Sequence, residues 1–529
     1  MCGITAFFGD HTVANLDLHF RRGEKRGPEQ YTYECNNDVH LGFNRLAING
    51  LNTESSQPLH YKHYVLICNG EIYNYKELIQ KYKFKMETQS DCEVILRLYE
   101  LLREHCVYEL DGEFSFVIHD LSDNHIFVAR DPYGVRPLYI NEYNKSFCLS
   151  SDLSPMKFFP LNNVSQYPNG HYSVFTSHRW GYEQECVKYH TIKKVDSTFE
   201  SVYLAFYGSV YKRVMNTERP VACLLSGGLD SSLVAAIAAR ICAGNGKVLE
   251  TYSIGLEGSE DLKFSSKVAE HIGSKHTQII CSEDDFFNSI PQVIKDIESY
   301  DTTTVRASVG NWNVGKYIKA HSEAKVVLNG DGADELMGGY LYFHACPDKE
   351  EFDKECLRLL GDISFFDVLR SDKSIASHGL EPRTPYLDDN FVNAYMSLPL
   401  EVRYHKGNGQ MEKSVIRHII QKYDPSLLPP EILYRKKEAF SDGVSSLEKS
   451  WYQMIQDRMK GIELNTNYAI NNPTTGEQQY YRELFCKAYK GCDHLIPYFW
   501  MPKYVNATDA SARTLSQYKE ADSLNNMSA

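Results

Sequence analysis

The chain has 529 residues, 43% of them apolar and 24% charged, a balance that excludes wholesale disorder and suggests two or three domains. Its longest uninterrupted apolar stretch, Leu233–Ala239, falls far short of the ~20 residues that span a bilayer. Acidic residues outnumber basic ones by 69 to 56, for a formal charge of −13, which argues against a broad nucleic-acid-binding face.

Met1-Cys2-Gly3-Ile4 has no basic run ahead of an apolar segment and does not read as a secretory signal. Fourteen cysteines without a C-x-x-C pair suggest reduced thiols in a cytoplasmic compartment rather than a disulfide scaffold or zinc ribbon. Because Met1 precedes a small residue, its removal would leave the Cys2 thiol beside that residue's own α-amine. Such an amine has an ordinary pKa of about 7.7–8.0, so nucleophile and general base would share one residue.

Over the first 180 or so residues, β runs at Tyr64–Cys68, Phe114–Ile118 and His125–Ala129 surround a helical stripe across Cys92–Leu102, predicting an α+β layered domain. Asn69-Gly70-Glu71 follows the first run, and a turn there would offer an amide side chain and a backbone N–H to an oxyanion. Asp91 would accept a substrate α-ammonium group. Near Thr191 the texture changes. Ser197 and Glu200 suggest a capping box, with helical spacing through Val202, Phe206 and Val210. Strands at Val221–Leu225, Leu249–Ile254 and Ala324–Leu328 then alternate with helices from Ser232 and near Ser265–His271, which predicts a parallel sheet covered on both faces. The spacing divides the chain into domains at 1–190 and 200–505, and the small polar residues of 506–529 read as a loose tail.

The strand at Val221 runs straight into Ser226-Gly227-Gly228-Leu229-Asp230-Ser231-Ser232 and a helix. Free N–H groups, hydroxyls and the positive helix end would together cradle an anion. There is no G-x-x-x-x-G-K-[ST], and the loop instead resembles the pyrophosphate loop of ATP pyrophosphatases, with Asp230 able to hold Mg²⁺. Asn329-Gly330-Asp331-Gly332-Ala333-Asp334-Glu335 follows another strand, where open α/β sheets bind ligands. Arg435-Lys436-Lys437 would neutralise phosphate charge as it develops.

Together these residues resemble the glutamine-dependent asparagine synthetase family. The matching stretches include Arg26-Gly-Pro28, Arg45-Leu-Ala-Ile48, Asn69–Asn74, Ser90–Ile95, Arg130-Asp131, Thr303-Thr304 with Arg306, His378–Glu381, Lys437–Val444 and Ala507–Leu515. The resemblance implies an αββα N-terminal-nucleophile sandwich, a class II glutamine amidotransferase, followed by an α/β parallel-sheet ATP-pyrophosphatase domain. It further implies that Cys2 attacks the glutamine amide while Asn69 and Gly70 stabilise the oxyanion, and that Arg45, Leu46, Ile48, Glu71 and Asp91 complete the glutamine pocket. Released ammonia would pass internally to a site where ATP activates aspartate as β-aspartyl-AMP. There Leu224, Ser226, Gly227, Gly228, Asp230, Ser231, Ser232, Ile254, Asn329 and Gly330 would bind ATP. Asp230 and Asp334 would be Mg²⁺ ligands, Lys437 a charge stabiliser, and Thr303, Thr304, Arg306 and Asp331 the lining of the aspartate pocket. Homodimers are common in the family.

The chain departs from the family pattern at several positions. Asn329 and Asp331 stand in the usual Ser-Gly-Glu-Gly, Lys25 replaces a histidine, Asn44 and Asn49 stand where acids are common, and Pro382 and Thr384 alter Glu-Ala-Arg-Val-Pro. Two other readings stay open at the level of sequence: another carboxylate acceptor, or a glutaminase with a silent synthetase site.

Overall fold

The computed structural model describes residues 2–9, 13–178, 181–406, 410–516 and 518. Met1 and residues 519–529 of the expected tail lie outside them. The first half carries twelve strands: β1 (Gly3–Phe8), β2 (Gln30–Asn36), β3 (Val39–Arg45), β4 (Leu59–Tyr61), β5 (Tyr64–Ile72), β6 (Gly112–Asp120), β7 (His125–Arg130), β8 (Tyr139–Tyr143), β9 (Ser146–Ser150), β10 (Ser165–Gln166), β11 (His171–His178) and β12 (Gly181–Lys188). They form two six-stranded sheets, ordered β10-β8-β9-β1-β3-β2 and β12-β11-β7-β6-β5-β4, with antiparallel pairing such as β1 with β3 and β5 with β6.

Strand periodicity explains the stacking. Ile4, Ala6 and Phe8 of β1 meet Val65, Ile67 and Val117 between the sheets, while Phe7 points outward to Leu16 and Phe20 around the short helix α1 (Leu16–Phe20). On the other outer face, helices α2 (Tyr75–Tyr82) and α3 (Glu93–Leu102) lay Leu78, Val94, Ile95 and Leu98 over Leu66, Phe116 and Phe127. The result is the expected αββα sandwich.

The second half alternates strand and helix as the spacing predicts. Its elements are α4 (Phe199–Met215), β13 (Val221–Leu224), α5 (Leu229–Gly244), β14 (Glu250–Leu256), α6 (Glu260–Ile272), β15 (Lys275–Cys281), α7 (Glu283–Ile297), α8 (Thr302–His321), β16 (Val326–Leu328), α9 (Ala333–Met337), α10 (Lys349–Asp362), α11 (Asp367–Ala376) and β17 (Glu381–Arg383). The sheet is ordered β15-β14-β13-β16-β17 and is parallel throughout. Helices α4 and α5 pack one face and α7 and α8 the other. As in other α/β folds, the strand ends point their loops at one ligand-binding edge.

Three local expectations differ. The cap of α4 is Thr198 with Ser201, not Ser197 with Glu200, because the Ser197 hydroxyl is taken by Ala394 O. Asn69-Gly70-Glu71 is no turn but the continuation of β5, opposite Ser115, Phe114 and Glu113. A Cβ on Gly70 would lie 2.5 Å from Glu113 O, so glycine is needed there for strand approach. Finally, the tail after Asn506 is docked rather than loose in its described part: Leu515 and Tyr518 join a buried cluster with Trp500 and Phe366.

A buried charge network joins the halves. Arg26 reaches Asp372 at 2.7 Å, Arg136 reaches Glu113 at 3.0 Å, and Arg213 reaches both Glu113 (2.9 Å) and Asp388 (2.8 Å). Lys373 bridges Asp152 and Glu298. Removing one partner of such a pair strands a charge at a cost of about 3–5 kcal/mol, so the network favours one registration of the two halves.

Candidate active sites

Cys2 enters β1 at the seam of the two halves. Its backbone N–H donates to Asn69 Oδ1 at 3.1 Å, its thiol to Leu46 O at 3.6 Å, and Arg26 Nε donates to its carbonyl at 3.1 Å. Burial pushes the Cys2 thiol up to about 11, so a base is needed to raise its nucleophilicity at neutral pH. Asn69 Nδ2 lies a long 3.5 Å from Ser151 Oγ, leaving it able to turn to another acceptor.

The expected glutamine ligands gather around this point. Arg45, at the end of β3, donates to Gly50 O and Asn52 O. Leu46 and Ile48 are core residues, and the Ile48 carbonyl is taken by Glu218 N. Glu71 accepts from Asn49 Nδ2 at 2.6 Å and lies 3.5 Å from Arg383; burial and the neighbouring Asp91 push its carboxyl well up. Asp91 accepts from Ile72 N at 2.7 Å, and burial raises it to about 6. An acid at position 49 would repel Glu71, whereas Asn49 donates to it.

The second site is a cavity at the C-terminal edge of the parallel sheet. Of the residues expected at the nucleotide, Leu224, Ser226, Gly228, Asp230, Ser231, Ile254, Asn329 and Gly330 line it. Gly227 and Ser232 do not: Gly227 has φ +75° and packs against Phe264, and Ser232 is wholly buried in α5. The loop is preformed, with Ser231 Oγ 2.9 Å from Ser226 Oγ.

Asp230 and Asp334 face each other across two lysines. Lys413 Nζ lies 2.5 Å from Asp230 Oδ2 and 2.5 Å from Asp334 Oδ1, and Lys437 Nζ lies 2.5 Å from Asp334 Oδ2. Burial alone would raise Asp334, but the two ammonium groups overcome it and hold the carboxyl far below the usual range. Against its own burial, Lys437 is held protonated by Asp334 and Asp230. A Cβ on Gly339 would lie 2.0 Å from Lys413 Cε, which explains the glycine. Asp331 pairs with Arg370 at 2.7 Å, and burial pushes its carboxyl up. Thr303 and Thr304 line the cavity, Thr303 with a buried, unpartnered hydroxyl. Arg306 does not line it. Glu477 and Asp509 hold its guanidinium at 2.8 and 2.6 Å in the adjoining interior.

Residues 1–202 match the family described as glutamine amidotransferase domain, and residues 202–354 and 345–466 the one described as asparagine synthase. The chain is 40% identical over 569 residues to the asparagine synthetase [glutamine-hydrolyzing] of Gallus gallus, and 39% identical over 564 residues to that of Homo sapiens. Each alignment covers 98% of this chain and 100% of the relative. The chain belongs to the glutamine-hydrolysing asparagine synthetase family.

Its activity is that of the family, ATP-driven amidation of aspartate with nitrogen from glutamine. Against the asparagine synthetase pattern, the departures fall mostly outside the acceptor cavity. Lys25 pairs with Asp296 at 2.7 Å, and Asn44 donates to Phe20 O. The Pro382 carbonyl accepts from Arg136, and Thr384 meets Glu113. Only Asn329 and Asp331 line the cavity. Arg435, part of the basic run read above as neutralising phosphate, also lines it. So do Lys413 and Arg370, which no motif marks: Lys413 lies in the turn before the helix Ser414–Tyr423 and Arg370 within α11. Among the described residues, no helix is long and apolar enough to cross a membrane.

Proposed function

We propose that the two sites divide the family reaction between the two units, 1–190 and 200–505. At the first, Cys2, freed of Met1, uses its α-amine as general base and attacks the glutamine amide. Asn69 Nδ2 and the Gly70 N–H take up the oxyanion, and Arg45, Glu71 and Asp91 orient the amino-acid end. The hydrogen bond from Cys2 N to Asn69 supports this pairing of nucleophile and oxyanion donor.

At the second site, the adenine lies against Leu224 and Ile254 and the phosphates against Ser226, Gly228 and Ser231. The aspartate carboxylate attacks the α-phosphorus, forming β-aspartyl-AMP and releasing pyrophosphate. Lys437 and Lys413 neutralise charge on the departing phosphates. Ammonia then displaces AMP, with Asp331 placed to accept a proton and Thr303 and Thr304 lining the pocket.

The residues present fit Mg²⁺. Asp230 and Asp334 are hard oxygen donors at the phosphate end, and Asp230 Oδ1 is buried without a hydrogen-bond partner. Mg²⁺ commonly takes one or two carboxylates and completes its shell with phosphate oxygens and water. This accords with the absence, among the described residues, of a three-ligand protein cage. When bound, the ion would supply charge neutralisation on the polyphosphate. Fourteen unpaired cysteines support a reducing, cytoplasmic setting, and we place the working form as a homodimer.

The observation that carries the reading is the paired Asp230–Lys413–Asp334–Lys437 cluster beside Asp331, set at the mouth of the pyrophosphate loop. Its test is pyrophosphate release from Mg-ATP with ammonium as nitrogen donor, with and without aspartate, alongside asparagine analysis. Aspartate-dependent pyrophosphate matched by asparagine is expected. No aspartate-dependent turnover would sink the assignment of this cavity.

A further inference from the structure

Several contacts tie the C-terminal segment Ala507–Tyr518 both to α8 and to the Lys437 turn, two parts of the lining of the ATP cavity. On the α8 wall, Asp509 makes a bidentate pair with Arg306, at 2.6 and 2.8 Å. Arg306 stands two residues beyond Thr304, which lines the cavity, and its other partner is Glu477 at 2.8 Å. On the Lys437 turn, Arg513 Nε donates to Glu438 Oε1 at 2.7 Å and its Nη1 to Ser446 O at 2.7 Å. Tyr518 OH donates to the same Glu438 oxygen at 3.1 Å. Glu438 is the neighbour of Lys437. Further along this turn, Asp442 accepts from Ser511 Oγ at 2.7 Å and from Ala512 N at 3.2 Å. Lys436, on the other side of Lys437, donates to Tyr518 O at 2.6 Å and lies 3.7 Å from its ring centre.

The residues on both sides of Lys437 are thus held by one segment, whereas Lys437 itself points to Asp334. The turn is also held at its two ends, where Arg435 pairs with Asp261 at 3.1 Å and the Phe440 ring packs on Gly310 of α8. Lys437 and Glu438 belong to no helix or strand, and the next helical turn, Phe440–Gly443, has four residues. A long lysine on an irregular turn samples many rotamers, and misplacing a charge-stabilising group by about 1 Å costs on the order of 10²-fold in rate.

We propose that Asp509, Ser511 and Arg513 form a clamp that positions Lys437 for pyrophosphate departure, stapling the Lys437 turn to α8. The clamp rests on the charge-stabilising role proposed above for Lys437. These three are positioning residues: none of them lines the cavity.

The test uses the full-length enzyme with Mg-ATP, aspartate and ammonium, and reads glutamine hydrolysis separately. Arg513→Gln is expected to lower kcat for pyrophosphate release by about tenfold or more. The KM for ATP should move less than about threefold, because the loop that binds the phosphates is untouched. Glutamine hydrolysis and the melting temperature should stay near wild type, Arg513→Lys should recover much of the rate, and adding Glu438→Gln to Arg513→Gln should cost little more. Unchanged pyrophosphate release in Arg513→Gln, while Lys437→Met collapses, overturns the clamp alone. A loss of both half-reactions with a lowered melting temperature also overturns it, since the segment is then merely structural. Lys437→Met that keeps its rate overturns the reading of Lys437, and the clamp with it.

Discussion

In the amidotransferase half the proposed nucleophile and base both belong to Cys2, just ahead of β1, and the proposed oxyanion partners are Asn69 and Gly70 on β5, with one hydrogen bond linking Cys2 to Asn69. In the synthetase half the cluster Asp230–Lys413–Asp334–Lys437 draws each member from a different segment, up to 207 residues apart for Asp230 and Lys437. The first site is buried among antiparallel strands and a charged seam. The second opens at the ends of parallel strands, where loops are free to converge. The difference teaches that local chemistry can sit on rigid strands, whereas handling a polyphosphate needs charges gathered from many loops and then fixed from behind.

The comparison breaks most visibly if one half is silenced without the other. Cys2→Ala should reduce glutamine hydrolysis by at least about 10³-fold and leave ammonium-dependent pyrophosphate release intact; glutamate and pyrophosphate assays on one preparation decide it. A parallel loss of both would mean the halves are not chemically separate.

Lys413→Met attacks the other half. It should cut pyrophosphate release by about 10²–10³-fold and spare glutamine hydrolysis, with a melting curve to exclude unfolding. A variant of full activity would remove Lys413 from the cluster.

A gentler probe is pH. Burial raises Asp91 to about 6, so above that pH the carboxylate is charged and attracts the substrate ammonium. Below it the group takes a proton, and the KM for glutamine should rise by up to about tenfold per pH unit. Linkage separates this from unfolding: a carboxyl whose pKa is raised in the fold adds stability as pH falls through about 6 and loses it as pH rises. A KM for glutamine that stays flat from pH 7 to 5 would exclude Asp91 from substrate binding.

The smallest effect is expected at Asp331. Asp331→Glu lengthens the carboxylate by one methylene while Arg370 remains in reach of it, and it should preserve or raise asparagine formation. A large loss would show that Asp331 is not a simple stand-in for glutamate.

Much of the site was legible because its chemistry is contiguous. Ser226–Ser232 carries glycines, hydroxyls and an acid in one loop, and Cys2, freed of Met1, would carry its own base. Arg306 enters the aspartate pocket only through the family resemblance. It follows Thr303 and Thr304 in sequence, yet a buried guanidinium goes where carboxylates are, and these lie 171 and 203 residues away. Asn69–Glu71 looked like a turn because glycine marks turns, but Gly70 serves the close approach of β5 to β6. The composition of residues 506–518 resembled a loose tail because apolar anchors are few there. Asp509 and Arg513 tie it down by charge, and Leu515 and Tyr518 by packing.

From the sequence alone come the alternation of elements, written in periodicity, and the family resemblance, the candidate nucleophile and the pyrophosphate-type loop, carried by motifs a few residues long. Only the tertiary structure decided which lysines face Asp230 and Asp334, where Arg306 points, and what braces the Lys437 turn. Those choices depend on burial, which makes an unpaired charge costly, and burial exists only after distant segments have packed together.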